Sequence, residues 1–449
     1  MTAQLLHRYA RPVPRYTSYP TAPHFADAVD GKTYAEWLGA LPDGATLSLY
    51  AHIPFCDTLC WFCGCHTKIT RRYRPVADYL EGLKREIASV AALVKPGSRV
   101  KHIHWGGGSP TILSGGDVRA LGAALRAAFT LDEAAEFAVE IDPRGLGADD
   151  LDALAAAGVT RASVGVQDFD PVVQVAINRV QPFAETRDVI EGLRARGIKA
   201  INIDLMYGLP SQNQAAIADT IDKVLTLAPD RVALFGYAHV PWMKRHQQMI
   251  REAALPGVGE RFNQADFAAR LLVDAGFARI GLDHFARAGD PLALAAAEGT
   301  LRRNFQGYTT DTADALIGFG ASAIGRLPQG FVQNQAAIAD YLRRVEETGV
   351  ATARGYAFTP DDLRRAHLIE RLMCDLKLSW SRIEREVGPA DDLRAEAEAP
   401  LAAFARDGLV AMSDDGFEVT ECGRPFVRSI CAVFDAYLQT SNARHSIAV

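Results

Sequence analysis

Cys56, Cys60 and Cys63 fall within one short stretch, Ile-Pro-Phe-Cys-Asp-Thr-Leu-Cys-Trp-Phe-Cys-Gly-Cys-His, at the spacing C-x3-C-x2-C. Three thiolates this close predict a metal site one ligand short of closure. Iron–sulfur clusters are usually held by four protein thiolates, and structural zinc also takes four ligands. A three-cysteine set leaves one iron open to a ligand that reacts. The competing reading is a zinc site completed by Cys65 or His66. Phe55, Trp61 and Phe62 give the loop an apolar surround, which suits a redox cluster that must be kept from water. Gly64 lets the backbone approach a ligand closely.

Positioning such a loop takes a scaffold, and the middle of the chain repeats a rhythm that supplies one. Apolar runs at 46–53, 100–105, 136–141, 161–166, 200–207 and 231–237 each end in a polar or glycine-rich motif. Between them lie segments of helical period at 77–93, 116–129, 148–157, 184–196 and 214–227. Strands alternating with helices predict parallel βαβ units with right-handed crossovers, and continuously apolar strands predict a sheet covered on both faces. The expected fold is α/β, an open or incomplete parallel (β/α)6 barrel. Chemistry in such folds gathers at the carboxyl ends of the strands. Here those ends carry the cysteine loop, Gly106-Gly107-Gly108-Ser109-Pro110, Glu140-Ile141-Asp142, Gln167-Asp168, the segment from Asp204 to Pro210, and Ala238-His239.

Taken singly, these groups have two readings. The glycine-rich turn lacks the G-x-x-x-x-G-K pattern of a P-loop; its free N–H groups suit a small ligand with amino and carboxylate groups, or it is only a turn. Glu140 and Asp204 accept hydrogen bonds from ribose hydroxyls, or cap helices. Gln167 and Arg179 divide in the same way, Arg179 either gripping a carboxylate bidentately or facing solvent. His52 reads as a packing residue. Arg71, Arg72 and Arg74 read as a solvated face, or as a docking patch for a polycarboxylate. The arm Pro14-Arg15-Tyr16-Thr17-Ser18-Tyr19-Pro20 either flanks a large flat anionic ligand or simply packs.

After about residue 290 the rhythm stops, and 302–308 and 317–325 read as loops. From about Thr359 the pattern turns helical and ends in two short apolar runs about an Asp-Gly turn, a β-hairpin signal. The whole predicts a mainly helical, winged-helix-like module. Its 11 Lys and Arg against 16 Asp and Glu over 359–449 argue against a DNA-binding wing. The expected divisions are an N-terminal arm (1–45), a catalytic domain (46–300), a connecting segment completing the site (301–358) and the C-terminal module (359–449).

Composition narrows the classes. A net charge of −6 argues against nucleic acid as the main partner. No apolar run reaches the ~18 residues of a membrane span, and no signal peptide is seen. Residues 1–26 hold arginines but no acid, loosely like a transit peptide; Pro12, Pro14, Pro20 and Pro23 would break the helix such a peptide needs, so an ordered arm is expected. Seven cysteines, four of them between Cys56 and Cys65, are no disulfide framework and fit a reducing cytosol. Cys374, Cys422 and Cys431 read as small buried hydrophobes.

The cysteine spacing and the glycine turn together resemble the radical S-adenosylmethionine superfamily. Longer strings are more specific: Pro-Arg-Tyr-Thr-Ser-Tyr-Pro-Thr at 14–21, His-Ile-Pro-Phe-Cys at 52–56, Cys-Gly-Cys at 63–65, Gly-Val-Gln-Asp-Phe at 165–169, Asn-Ile-Asp-Leu-Met-Tyr-Gly-Leu-Pro at 202–210 and Arg-Asn-Phe-Gln-Gly-Tyr-Thr-Thr at 303–310. Over essentially its whole length the chain resembles the bacterial oxygen-independent coproporphyrinogen III oxidases. The resemblance implies oxidative decarboxylation of two propionates of coproporphyrinogen III to vinyls, giving protoporphyrinogen IX in haem biosynthesis. It implies a [4Fe–4S] cluster on Cys56, Cys60 and Cys63, with S-adenosylmethionine on the open iron as the source of a 5′-deoxyadenosyl radical. It further implies two S-adenosylmethionine molecules. Tyr50, Gly107, Glu140 and Ile324 would contact the first, and Phe62, Gly108, Ser109, Gln167, Arg179, Asp204 and Ala238 the second. Ser109 stands where the family usually has Thr and keeps the hydroxyl. Arg15 and Gln306 are candidates for substrate contact. A separate reductant protein, a cytoplasmic location and a monomer are what the resemblance suggests. The alternatives are a haem chaperone on the same fold, or a radical enzyme acting on another tetrapyrrole. Chaperone relatives tend to lack the Pro-Arg-Tyr-Thr-Ser-Tyr-Pro arm and the Cys-Gly-Cys ending, and both are present here.

Overall fold

Burial runs almost unbroken along the first predicted strand, so that strand lies between two covered faces. The computed structural model describes residues 3–438. β1 (Thr46–Ile53), β2 (Arg99–Gly107), β3 (Thr130–Ile141), β4 (Arg161–Gln167), β5 (Ala200–Tyr207) and β6 (Arg231–Gly236) pair in that order, all parallel. Helices Arg74–Ala91, Gly115–Ala128, Ala148–Ala157, Phe183–Ala195 and Gln214–Thr226 make the crossovers. β1 and β6 do not meet, so the (β/α)6 barrel is incomplete, as expected. A short helix, Pro171–Ala176, capped by Asp170, was not anticipated; it stands directly after β4.

The open edges are extended instead of bare. Beside β1, the strand Ala315–Phe319 runs parallel, and Ile324–Leu327, Gly330–Asn334 and Thr352–Ala357 follow antiparallel. Beside β6, the antiparallel strands His284–Arg287 and Phe277–Ile280 complete a twelve-stranded sheet. The expectation of loops at 302–308 and 317–325 is therefore corrected. Arg302–Asn304 and Gly307–Thr309 form a small hairpin, and 317–325 spans two strands of the main sheet. Glycine misleads here because the strands press together. A Cβ on Gly318 would lie 2.8 Å from the Ile324 carbonyl oxygen, and one on Gly325 2.9 Å from that of Leu316.

The C-terminal helices Pro360–Asp375, Trp380–Val387 and Asp391–Arg406 pack over a three-stranded sheet of Lys377–Ser379, Val410–Ser413 and Gly416–Val419, the winged-helix-like form expected. The arm belongs to this second core. Tyr9 stacks on Phe404 at 4.7 Å, the Tyr16 hydroxyl donates to Asp435 at 3.0 Å, and the Tyr19 hydroxyl accepts from the Ala436 N–H at 3.0 Å. Among the described residues no helix is long and apolar enough to cross a membrane.

One buried polar knot fixes the added strands to β1. Glu86 accepts from the Gly320 N–H and the Tyr341 hydroxyl, both at 2.7 Å, and from the Asn334 amide at 2.6 Å. Burial pushes its carboxyl up to about 7. Tyr79 donates to the His52 carbonyl and accepts from the Ala321 N–H, each at 2.8 Å, so the knot reaches the end of β1 that launches the cysteine loop. Tyr341→Phe leaves Glu86 one donor short in a dry site and should lower stability by about 1–3 kcal/mol, read from urea unfolding.

Candidate functional site

The cysteine loop leaves β1 through Pro54 and is gripped on every side by backbone and side-chain hydrogen bonds. The Lys68 N–H donates to the Pro54 carbonyl at 2.8 Å and the Thr70 N–H to that of Cys56 at 2.9 Å. The short helix after β4 holds the far side: Trp61 N–H donates to the Ile177 carbonyl at 2.9 Å, and the Asn178 amide to that of Leu59 at 2.8 Å. The segment after β6 holds the end of the loop. Lys244 donates to the Cys65 carbonyl at 2.8 Å, His246 pairs with that of Cys63 at 2.7 Å, and the Gln247 amide bridges the carbonyls of Phe62 (3.0 Å) and Ala238 (3.2 Å).

Each of the three sulfurs has its own donors. Thr67 Oγ1 donates to Cys56 Sγ at 3.2 Å, Arg144 Nη2 and Arg179 Nη1 both lie 3.6 Å from Cys60 Sγ, and the Cys65 N–H donates to Cys63 Sγ at 3.4 Å. Burial pushes the Cys56 thiol up to about 12, whereas hydrogen bonding from Cys65 outweighs burial and pulls that of Cys63 down to about 7. Donors at every sulfur fit thiolates that ligate a cluster. Among the described residues, no three His, Cys, Asp or Glu side chains converge as one metal ion would require. The His66 ring, a candidate fourth zinc ligand, is engaged with the Ala336 carbonyl at 2.7 Å.

The rim beyond the sulfurs is continuous. Gly107, at φ +118°, turns the chain where a Cβ would lie 2.7 Å from the His52 ring, and a Cβ on Gly108 would lie 2.5 Å from the Phe55 carbonyl oxygen. The Gly107 N–H donates to Glu140 Oε2 at 3.1 Å, and His104 Nε2 lies 3.2 Å from Oε1. Burial alone would raise the Glu140 carboxyl; those contacts outweigh it and leave it below the usual range. Tyr50 pairs with His52 Nδ1 at 2.9 Å and lies in register with Gly318, which touches the backbone of Ile324. Ser109 Oγ bonds Thr111 Oγ1 at 2.8 Å, and Gln167 ends β4 at φ +71°. Asp204 on β5 accepts from Ser163 at 3.0 Å and Asn202 at 2.8 Å. Arg179 does grip a carboxylate bidentately, but it is Asp142 of the same chain, at 3.0 and 3.3 Å; its Nη2 also donates to the Gly165 carbonyl at 2.7 Å. The residues named for cluster and cofactor thus share one rim. Asp142, Arg144, His246 and Gln247 were missed as site residues; the Asp-x-Arg spacing at the end of β3 was the available signal for the first two.

A cavity of about 850 Å³ opens from this rim, sharing Tyr237, Ala238 and His239 with it. Arg15 and Gln306 line it, as expected for substrate candidates, together with Arg261, Arg279, Arg303 and Arg428. Arg15, Arg261 and Arg303 form no ion pair among the described residues. The Nε of Arg261 and the Nε and Nη1 of Arg303 are buried without a hydrogen-bond partner. Burial, then repulsion from Arg15, pulls Arg428 down to about 10 and lowers Arg261 as well. Arg71, Arg72 and Arg74 lie outside this cavity and are exposed, so the docking-patch reading of that run gives way to the solvated one. Of the arm, Tyr16 and Tyr19 pack, and Arg15 and Thr17 line the cavity. Cys374 and Cys431 are buried as expected; Cys422 is exposed on the cavity wall, which corrects its reading as a buried hydrophobe.

Comparison with known proteins finds relatives over nearly the whole chain. The Radical SAM superfamily matches residues 50–224 and the HemN C-terminal domain matches residues 358–426. The oxygen-independent coproporphyrinogen III oxidase of Bradyrhizobium diazoefficiens is 50% identical over 437 residues, covering 97% of each chain. That of Paracoccus denitrificans is 45% identical over 97% of this chain and 96% of its own. The solved structure of coproporphyrinogen III oxidase (HemN) from Escherichia coli, described as a Radical SAM enzyme, superposes with a TM-score of 0.90 at 40% identity, over 95% of this chain and all of that one.

Asp204 offers a test of the rim's electrostatics. Burial, and then the charge of Glu140, pushes its carboxyl up to about 6, against ~3.9 in an unfolded chain. The native state then binds more protons than the unfolded state between these values, so stability falls as pH rises from about 4 to about 6. Asp204→Asn, whose amide can accept from Asn202 and donate to Ser163, removes that loss. Urea unfolding should show the variant gaining on the parent by on the order of 2 kcal/mol between pH 4 and pH 7.

Proposed function

The chain belongs to the oxygen-independent coproporphyrinogen III oxidases of the Radical SAM superfamily, and on that premise we propose that its arginine-lined cavity seats the substrate's propionates beside the cysteine rim. The reaction is the oxidative decarboxylation of two propionates of coproporphyrinogen III to vinyls, giving protoporphyrinogen IX on the route to haem. The observation that carries the substrate assignment is the set of buried, unpaired arginine nitrogens around the cavity. Leaving buried guanidinium donors without acceptors costs free energy, and a tetracarboxylate is a ligand that relieves it.

Cys56, Cys60 and Cys63 would hold a [4Fe–4S] cluster, which with S-adenosylmethionine bound would supply radical chemistry at the site. The protein's own residues do the rest. Glu140, Tyr50, Gly107 and Ile324 orient the first S-adenosylmethionine. Phe62, Gly108, Ser109, Gln167, Arg179, Asp204 and Ala238 face a second. Arg144 and Arg179 keep positive charge against Cys60, and Trp61 and Phe62, packed with Tyr237 and Ile250, keep water from the loop. Arg15, Arg261, Arg303 and Gln306 take the propionates; Arg303 stacks over Tyr308 at 4.4 Å, which fixes its fork.

We read the chain as an arm (1–45), a catalytic domain (46–300), a connecting segment (301–358) and a C-terminal module (359–449, of which 439–449 lie outside the described residues). A cytoplasmic monomer served by a separate reductant protein completes the proposal.

Anaerobic incubation with coproporphyrinogen III, a reductant and S-adenosylmethionine should yield vinyl products, and Cys60→Ala should abolish them. Arg261→Gln and Arg303→Gln should each raise KM by about tenfold with the cluster's absorption unchanged. Unaltered KM in both would remove the cavity from the substrate assignment.

A further inference from the structure

Within the cationic cavity stands a carboxylate that ought to work against it. Asp283 sits in the turn between Phe277–Ile280 and His284–Arg287 and faces the cavity. The turn is pinned: the Leu234 N–H donates to the Asp283 carbonyl at 2.8 Å, and the Leu282 N–H to the Tyr308 hydroxyl at 3.0 Å. Oδ1 accepts from His284 Nδ1 at 2.8 Å, whereas Oδ2 has no hydrogen-bond partner among the described residues. Burial would raise this carboxyl, but His284, Arg303 and Arg15 together bring it down to about 2, so it is a fixed anion and an acceptor only. The other carboxylates on the cavity wall are already committed, Asp266 to Arg270 and Glu421 to Arg424, both at 3.0 Å.

An anion among arginines weakens the hold on a tetracarboxylate unless the ligand also brings donors. Coproporphyrinogen does. Its four carboxylates lie on the periphery, and its reduced, puckered ring carries a hydrogen on each of four central nitrogens. The oxidised porphyrin keeps two such hydrogens in a flat ring, and a metalloporphyrin keeps none. Resting on the substrate reading above, we propose that Asp283 accepts hydrogen bonds from the pyrrole N–H groups of the reduced macrocycle, and so selects the porphyrinogen over its oxidised and metallated forms. Peripheral arginines and one acceptor among them then match peripheral carboxylates and central donors.

The bland alternative is that Asp283 only relieves repulsion among Arg15, Arg303 and Arg428. The two readings differ in sign. Removing a mere counter-ion tightens every tetracarboxylate equally; removing the N–H acceptor weakens the porphyrinogen alone. The test is anaerobic equilibrium titration of the full chain, without turnover, followed by quenching of tryptophan fluorescence. Trp242 lies on the cavity wall and serves as reporter. The probes are coproporphyrinogen III, coproporphyrin III and copper coproporphyrin III, the last chosen because copper scarcely takes axial ligands. Asp283→Asn should weaken the porphyrinogen about tenfold and leave the copper complex unchanged or tighter. Asp283→Ser should do the same if the first variant folds poorly. Equal shifts for all three probes, or none, would overturn the inference. Arg303→Gln separates the two failures. If it weakens all probes while Asp283→Asn changes no preference, only this inference falls; if it weakens none, the cavity reading falls and takes the inference with it.

Discussion

A single guanidinium joins the ends of three strands. Arg179 donates to Asp142 beyond β3, to the Gly165 carbonyl on β4 and to the Cys60 sulfur in the loop beyond β1. The loop is too short and too polar in its backbone to hold a shape alone. Its conformation is set by what it is tied to, and the central tie is a buried guanidinium paired with Asp142. That arrangement gives the Cys60 sulfur two cations, from Arg179 and from Arg144, itself held by the same Asp142. Breaking such a buried network by removing one partner is expensive, so the geometry that presents the thiolates is as firm as the core beneath it.

The rest of the site extends from this junction in two directions. Toward β1 and the added strands, Tyr79 and Glu86 carry the order from the His52 carbonyl to Gly320 and Asn334. Toward β6, Gln247 fastens Phe62 to Ala238, and Ala238 already lies on the cavity wall. Cysteine rim and cavity therefore share a wall and not merely an opening.

Much of this was legible in the sequence, and what was not has a physical reason. The C-x3-C-x2-C spacing points to a cluster site because metal sites fix residue type and separation together. The six strand ends were readable because parallel strands buried on both faces leave unbroken apolar runs, as in β1 and β6. The strands at 315–319 and 324–327 were not, since Gly318 and Gly325 serve close strand contact yet look like loop residues. The clamp by Lys244, His246 and Gln247 was hidden for another reason. All three act on backbone carbonyls about 180 positions away, and such partners leave no mark on residue type. Of the cavity's arginines Arg15 was named beforehand, but Arg261, Arg303 and Arg428 were not, because each is unremarkable in its own segment.

Those arginines come from parts of the chain that fold into different cores. Arg15 belongs to the arm, Arg261 to the helix Val258–Asp274, Arg303 to the small hairpin and Arg428 to the C-terminal module. None is near another in sequence, and in the folded chain burial first, then repulsion from Arg15, lowers the pKa of Arg261 and Arg428. Hydrophobic contact between arm and module, through Tyr9 on Phe404 and the buried Tyr16 and Tyr19, works against that repulsion. The docking of the arm thus adds Arg15 to the cavity wall. A cavity assembled in this way is complete only when every part of the chain is in place.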